Sequence, residues 1–275
     1  MKILVPLLLG SLFFLLNHVS WNYGDASLRL TNPDLACADC EQKRRVTIDQ
    51  GAIIRGDSTE KSIALVFTGD EYFEGLPSIT RTLKQHNVKA GFFFTGNLYA
   101  NKQAKHLITA LADHGHYLGP HSDKHILYND WSRRDSVLVT RDSLLSDIRA
   151  NYKKMEALGI HHDRKFFIPP FEWWNNTTAQ WLNDEGIHVV SFTWGIPTNA
   201  DYTFPEMGAR YRSSESILSA LYEKEFSGHL KGAIILIHVG TDPKRKDKLY
   251  DHLGEIIQKL KAKGYAFERV DRHVE

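Results

Sequence analysis

The sequence predicts an α/β fold whose parallel strands close into a barrel of about seven repeats, and three observations predict it. Apolar runs of strand length alternate with amphipathic stretches of helix length from residue 62 to residue 270. The first run, residues 62–67 (Ser-Ile-Ala-Leu-Val-Phe), is apolar almost throughout, as a parallel strand buried on both faces must be. Four such runs end directly in a polar or ionisable group, and the converging strand ends of a barrel are where its chemistry sits. A chain of 275 residues, 42% hydrophobic and 24% charged, buries a full core as one main domain.

Before that domain, Lys2 followed by the apolar run 3–16 has the charged start and short greasy core of a secretory signal. The run is short for a membrane span, which needs roughly 20 residues. Residues 1–20 are therefore read as a signal peptide or an N-terminal membrane anchor, and the protein as exported: periplasmic, extracellular or membrane-tethered. Residues 21–45 read as a leader or linker, with Asn, Asp and Pro before Lys43-Arg44-Arg45. Cys37 and Cys40, the only cysteines, fit a local disulfide in an oxidising compartment, since no second C-x-x-C accompanies them. The main domain is placed at 46–275.

In order, 46–54 reads as a strand or hairpin turning at Gly51 and closing the barrel floor, and 62–67 as the first barrel strand. Leu76, Ile79 and Leu83 mark a helix, 88–94 the next strand, 103–113 a helix and 116–119 a strand. A long helix at 140–158, a strand at 165–168, a helix at 177–185 and a strand at 187–193 follow. The loop 195–212 is rich in Asn, Pro and Gly, and a helix over 213–226 starts from a Ser cap. Strand 233–239, helix 246–263 and strand 265–270 complete the alternation, with Lys244-Arg245-Lys246 as a solvated helix entrance. Asn175-Asn176-Thr177-Thr178 fits the glycosylation pattern but reads better as a helix start.

The formal charge is +1 and the basic residues are scattered, so no nucleic-acid partner is expected. Chemistry concentrates elsewhere. In Gly119-Pro120-His121-Ser122-Asp123-Lys124-His125 the two imidazoles stand four apart; on one helical turn they would face the same side and close on a divalent cation. Asp70, at the end of the first strand, completes a two-His-one-carboxylate set or else caps the helix after it. Zinc suits these ligands first, and Ni2+, Co2+ or Mn2+ fit them too. His238 follows four apolar residues at a buried strand's mouth; an imidazole there suits a general acid, with Asp201 or Asp242 holding its other nitrogen. Phe171, Trp173, Trp174 and Trp194 either stack on sugar rings or pack the barrel rim. Trp131, Tyr128 and Trp181 read as core or surface.

Together these stretches resemble the polysaccharide deacetylases of the NodB-homology type (carbohydrate esterase family 4), over roughly residues 62–270. His121-Ser122-Asp123-Lys124-His125 matches the family's H-[ST]-x-x-H metal motif, Pro169-Pro170-Phe171 its Pro-Pro-aromatic wall, and Leu236-Ile237-His238 its strand ending in a catalytic histidine; 87–94 looks like its second strand. The resemblance implies a distorted (β/α)7-type barrel and metal-dependent hydrolysis of acetyl groups from N-acetylated, less readily O-acetylated, sugars of a polysaccharide or oligosaccharide. The metal would polarise the carbonyl, with a backbone N–H near Phe171 helping to hold the oxyanion.

Two departures matter. Where the family reads Thr-Phe-Asp-Asp-Gly, its first Asp a base and its second a metal ligand, this chain has Phe67-Thr68-Gly69-Asp70-Glu71, and Ile168 replaces the Arg before Pro-Pro. The pattern is similar to a divergent Bacteroidota-type group with Phe-Thr-Gly-x-Glu and Pro-Pro-aromatic-Glu-Trp. A Thr hydroxyl cannot take a proton near neutral pH, so the base falls to Glu172, in the position where the family has glycine, with Glu71 behind it. Glu172 could equally be a further ligand or meet a sugar hydroxyl. The rival expectations are a non-catalytic carbohydrate-binding protein on the same fold and an amide hydrolase acting on a non-sugar C–N bond.

Overall fold

The computed structural model describes residues 45–275, so the signal or anchor, most of the leader, and Cys37 and Cys40 lie outside the described residues. Among those residues no helix is long and apolar enough to cross a membrane. The elements are β1 (Thr47–Asp49), β2 (Ala52–Arg55), β3 (Ser62–Gly69), α1 (Leu76–Gln85), β4 (Gly91–Phe94), α2 (Gly96–Tyr99), α3 (Lys105–Asp113) and β5 (Tyr117–Pro120). They continue with α4 (Arg141–Glu156), β6 (Lys165–Phe167), α5 (Asn176–Asn183), β7 (Ile187–Val189), α6 (Ser214–Phe226), β8 (Ala233–His238), α7 (Leu253–Ala262), β9 (Ala266–Glu268) and α8 (Val270–His273).

Strands β8, β3, β4 and β5 lie side by side in parallel, and β9 pairs with the first half of β3. Strands β6 and β7 form their own parallel pair. Two backbone bonds carry the curl round: Ile168 N–H to Pro120 O at 3.4 Å, from the end of β6 to β5, and Thr193 N–H to Ile234 O at 2.9 Å, from the chain beyond β7 to β8. The β1–β2 hairpin turns through Gln50 and Gly51, both at positive φ, as a tight primed turn requires. It fills the remaining gap, Arg55 pairing with Ala233 at the start of β8 and Ile53 bridging to Val190. The result is a distorted (β/α) barrel.

The alternation of β3 explains where the site lies. Successive side chains point to opposite faces. Ile63, Leu65 and Phe67 pack outward into the core shared with the helices, whereas Ala64 and Val66 join Phe93, Phe166, Ile234 and Leu236 inside the barrel. All eight residues of β3 are buried, and removing one large side chain, as in Leu65→Ala, costs about 2–5 kcal/mol. Continuing the inward rows brings Thr68 and His238 to the top of the barrel, directly paired in register.

Three expectations fail locally. Residues 121–125 form no helical turn; Pro120 ends β5 and Ser122 (φ 73) and His125 (φ 53) are left-handed. The last long helix starts at Leu253, because the stretch before it is engaged elsewhere: Arg245 is fully buried, donating to the carbonyls of Thr203, Arg212 and Asp247. It is no solvated entrance. The strand expected over 187–193 keeps regular pairing only to Val189. The start of α5 is as expected, Asn175 and Thr178 forming a reciprocal capping box.

Candidate active site

His121 is 2% exposed, and its Nδ1 lies 2.8 Å from the carbonyl oxygen of Ile168. A carbonyl only accepts, so Nδ1 carries the proton and Nε2 keeps its lone pair. Burial, helped by the neighbouring His125, holds its pKa well below the ordinary imidazole value, leaving the ring neutral. The His125 ring lies 5.0 Å away, and burial lowers its pKa too, against the opposing charge of Asp70. Their strained loop is braced from one face of α4. Asn151 Nδ2 donates to the carbonyls of Ser122 (2.5 Å) and Phe94 (2.9 Å), and the Asp147 carboxylate accepts from the backbone of Asp123 (3.0 Å) and Lys124 (3.2 Å) and from Tyr128 Oη (2.6 Å).

Pro169 and Pro170 stiffen the chain into a second tight turn, where Phe171 (φ 59) and Glu172 (φ 50) are both left-handed. The turn leaves Phe171 exposed against His125, ring centres 4.3 Å apart, and brings Glu172 Oε1 to 3.8 Å from His121 Nε2. Burial pushes the Glu172 pKa up to about 7, with the charge of His238 working against it and that of Asp201 adding to it. His238 ends β8. Its Nδ1 is 2.6 Å from Asp201 Oδ1 and its backbone N–H donates to Asp201 Oδ2 at 3.0 Å. Burial alone would lower the His238 pKa, but the charge and hydrogen bond of Asp201, with Glu172 behind, raise it above the ordinary value.

Strand β3 ends in Thr68 and Gly69, with Asp70 following. Thr68 Oγ1 is buried with no hydrogen-bond partner. A Cβ at Gly69 would sit 2.5 Å from Val239 Cγ2, so no side chain fits there. Asp70 accepts from Thr95 Oγ1 at 2.6 Å and Asn97 Nδ2 at 3.3 Å. Neutral imidazoles beside carboxylates are donors a divalent cation takes. Among the described residues, however, no three His, Cys, Asp or Glu side chains are drawn up as a ligand set.

Thr68, Asp70, His121, His125, Glu172 and His238 all open on one cavity of about 800 Å³, with Glu71 and Asp242 also lining it. Its aromatic wall differs from expectation. Phe171 lines it, but Trp173, Trp174 and Trp194 do not. Trp174 is 1% exposed and stacks on Trp194 at 5.3 Å, both indoles donating to Asp49, so this pair packs the β1–β2 hairpin. Trp173 stacks behind Trp131 at 5.5 Å and donates to Asp130 O. Trp131, read as core or surface, is exposed and also lines the cavity, and Tyr202, Phe204, Met207 and Arg210 form a wall that the sequence reading did not single out. Their signal was proximity in sequence to Asp201, in a loop noted only for its Pro, Gly and Asn.

The family model for polysaccharide deacetylase matches residues 55–190, spanning β3 to β7 and the His121–His125 and Pro169–Glu172 loops. The chain carries a polysaccharide deacetylase domain. An uncharacterised 30.6 kDa protein of Geobacillus stearothermophilus is 29% identical over 80% of this chain and 74% of its own length. A peptidoglycan-N-acetylglucosamine deacetylase of Bacillus cereus is 26% identical over 77% of this chain and 68% of its own. The domain also shares its fold with a solved family 4 carbohydrate esterase-type pseudoenzyme of Bacillus anthracis, at TM-score 0.64 and 20% identity, covering 83% of this chain and 70% of that one.

Proposed function

We propose that the chain is an exported, metal-dependent deacetylase that hydrolyses acetamido groups, and less readily acetyl esters, on the sugars of a polysaccharide or oligosaccharide. The single observation that supports it most is the His238–Asp201 pair sharing one cavity with the largely buried Glu172 and the His121–His125 pair. Glu172, as carboxylate, takes a proton from the attacking water while the water oxygen bonds to the acetyl carbon. His238, its Nδ1–H held by Asp201, gives the Nε2 proton to the leaving nitrogen as the C–N bond breaks, yielding acetate and a free amine. Phe171 and Trp131 offer faces on which sugar rings stack. His121 and His125 would hold the cation, with Asp70 as the third ligand and zinc the first choice. When bound, it supplies Lewis acidity toward the carbonyl. Lys2 and the apolar run after it support export.

Acetate release from chitooligosaccharides, peptidoglycan fragments and acetylated xylan, with and without chelator, tests the reading; no acetate at any metal loading sinks it. A second reading, a carbohydrate-binding protein on a deacetylase fold, is favoured by Thr68 and Gly69 standing where the family has its Asp pair, and by Ile168 in place of its Arg. Glycan binding indifferent to metal, without turnover, selects it.

A further inference from the structure

The cavity wall formed by Tyr202, Phe204, Met207 and Arg210 comes from a loop that does not drift. Fully buried Arg245 grips both ends of it, at the carbonyls of Thr203 and Arg212, and Arg212 N–H closes the base on Thr203 Oγ1 at 3.0 Å. On this braced loop Arg210 is the one Lys or Arg among the described residues lining the cavity. The cavity's carboxylates, Asp70, Glu71, Glu172 and Asp242, offer it four acids, yet none of them pairs with it. Among the described residues no carboxylate lies within ion-pair distance of Arg210, and its hydrogen bond goes to Tyr202 Oη at 3.2 Å. A guanidinium presents five donors in a planar fork that matches a carboxylate. Most of that fork is uncommitted. Tyr202 in turn meets the His238 ring edge-on, centres 5.7 Å apart, so the fork stands one phenol ring away from the imidazole assigned to the leaving group.

A neutral glycan gives such a fork nothing charged to bind; aromatic faces and hydroxyl contacts suffice for it. We propose that Arg210 pairs with a carboxylate on the substrate, so that the site takes acidic acetylated glycans, in which the reacting sugar or its neighbour bears a carboxyl group. This rests on the deacetylase reading for the site's orientation, but recognition can be measured without turnover.

Calorimetric binding of a peptidoglycan-derived tetrasaccharide with free lactyl carboxylates is compared with the same tetrasaccharide carboxyl-reduced to the alcohol, for the wild type, Arg210→Gln and Arg210→Lys. Arg210 is exposed, so the variants should fold. The wild type should bind the acidic probe about tenfold more tightly, as one partly exposed charge-assisted pair supplies. Arg210→Gln should bring the ratio to about one, Arg210→Lys should keep part of it, and added salt should narrow it. A wild-type ratio near one, or a preference untouched in Arg210→Gln, overturns the inference. Acetate release is followed in parallel. Equal binding of both probes with acetate released leaves the deacetylase standing and removes the role of Arg210; an Arg210-dependent preference without acetate does the reverse.

Discussion

Replacing Asp147 by Ala removes the acceptor for two backbone N–H groups and for the buried Tyr128 hydroxyl. Leaving a buried donor unsatisfied costs about 1–3 kcal/mol; the exposed Lys124 N–H can turn to water, and the other two donors on one carboxylate do not add in full, so the expected loss is roughly 3 kcal/mol. The loop it holds carries non-glycine residues at φ 73 and φ 53, conformations that persist only when their surroundings impose them. Without the brace the loop should relax and part the two imidazoles. Urea unfolding measures the first consequence and calorimetric zinc binding to the apo protein the second, where affinity should fall at least about tenfold, the scale of a lost outer partner. Asn151→Ala, which strips the other side of the brace, should act in the same direction. Unchanged stability in Asp147→Ala refutes the hydrogen-bond argument. A destabilised variant with undiminished zinc affinity refutes the link between brace and histidine pair.

Asp201→Asn should leave only the more distant Glu172 charge opposing burial at His238, lowering its pKa. A general acid must be protonated, so the alkaline limb of the kcat/KM profile should move to lower pH, with turnover down about a hundredfold; an unmoved limb contradicts the pairing. Buried His116, whose Nδ1 accepts from Ala90 N–H, has its pKa lowered by burial to about 4. The unfolded chain protonates first, near 6.5, so the stability tied to the neutral ring is full above that pH and is lost as pH falls toward 4, by on the order of 3 kcal/mol. His116→Gln should flatten that acid limb in denaturation curves measured from pH 7 to 4, and an unchanged slope rules the assignment out.

The barrel was legible because its determinants are local and repeated. β3 and β8 are continuous apolar runs with no competing pattern, and Asn175 with Thr178 encodes its own cap. The approximate places of His121, His125, Glu172 and His238 followed from strand ends. What sequence could not carry was backbone sign and long-range pairing. Spacing of four implies a helical turn only where φ is negative, and Ser122 and His125 are not. Trp174 and Trp194 differ from Trp131 only in what reaches them from afar: Asp49, more than a hundred residues earlier, draws the first two inward. Arg245 in a basic triplet has the composition of a solvated corner, and only the three carbonyls converging on it reveal a buried clamp.

The proposed role of the Pro-Pro loop carboxylate as base, in place of an acid at Thr68, is tested most directly by acetate released from an acetylated oligosaccharide by zinc-loaded wild type and by Glu172→Gln at equal metal content. Acetate is expected from the wild type, with a loss of roughly a hundredfold or more in Glu172→Gln and little change in Glu71→Gln. Near-normal turnover in Glu172→Gln with Glu71→Gln inactive would contradict it and return the base to the first strand's end.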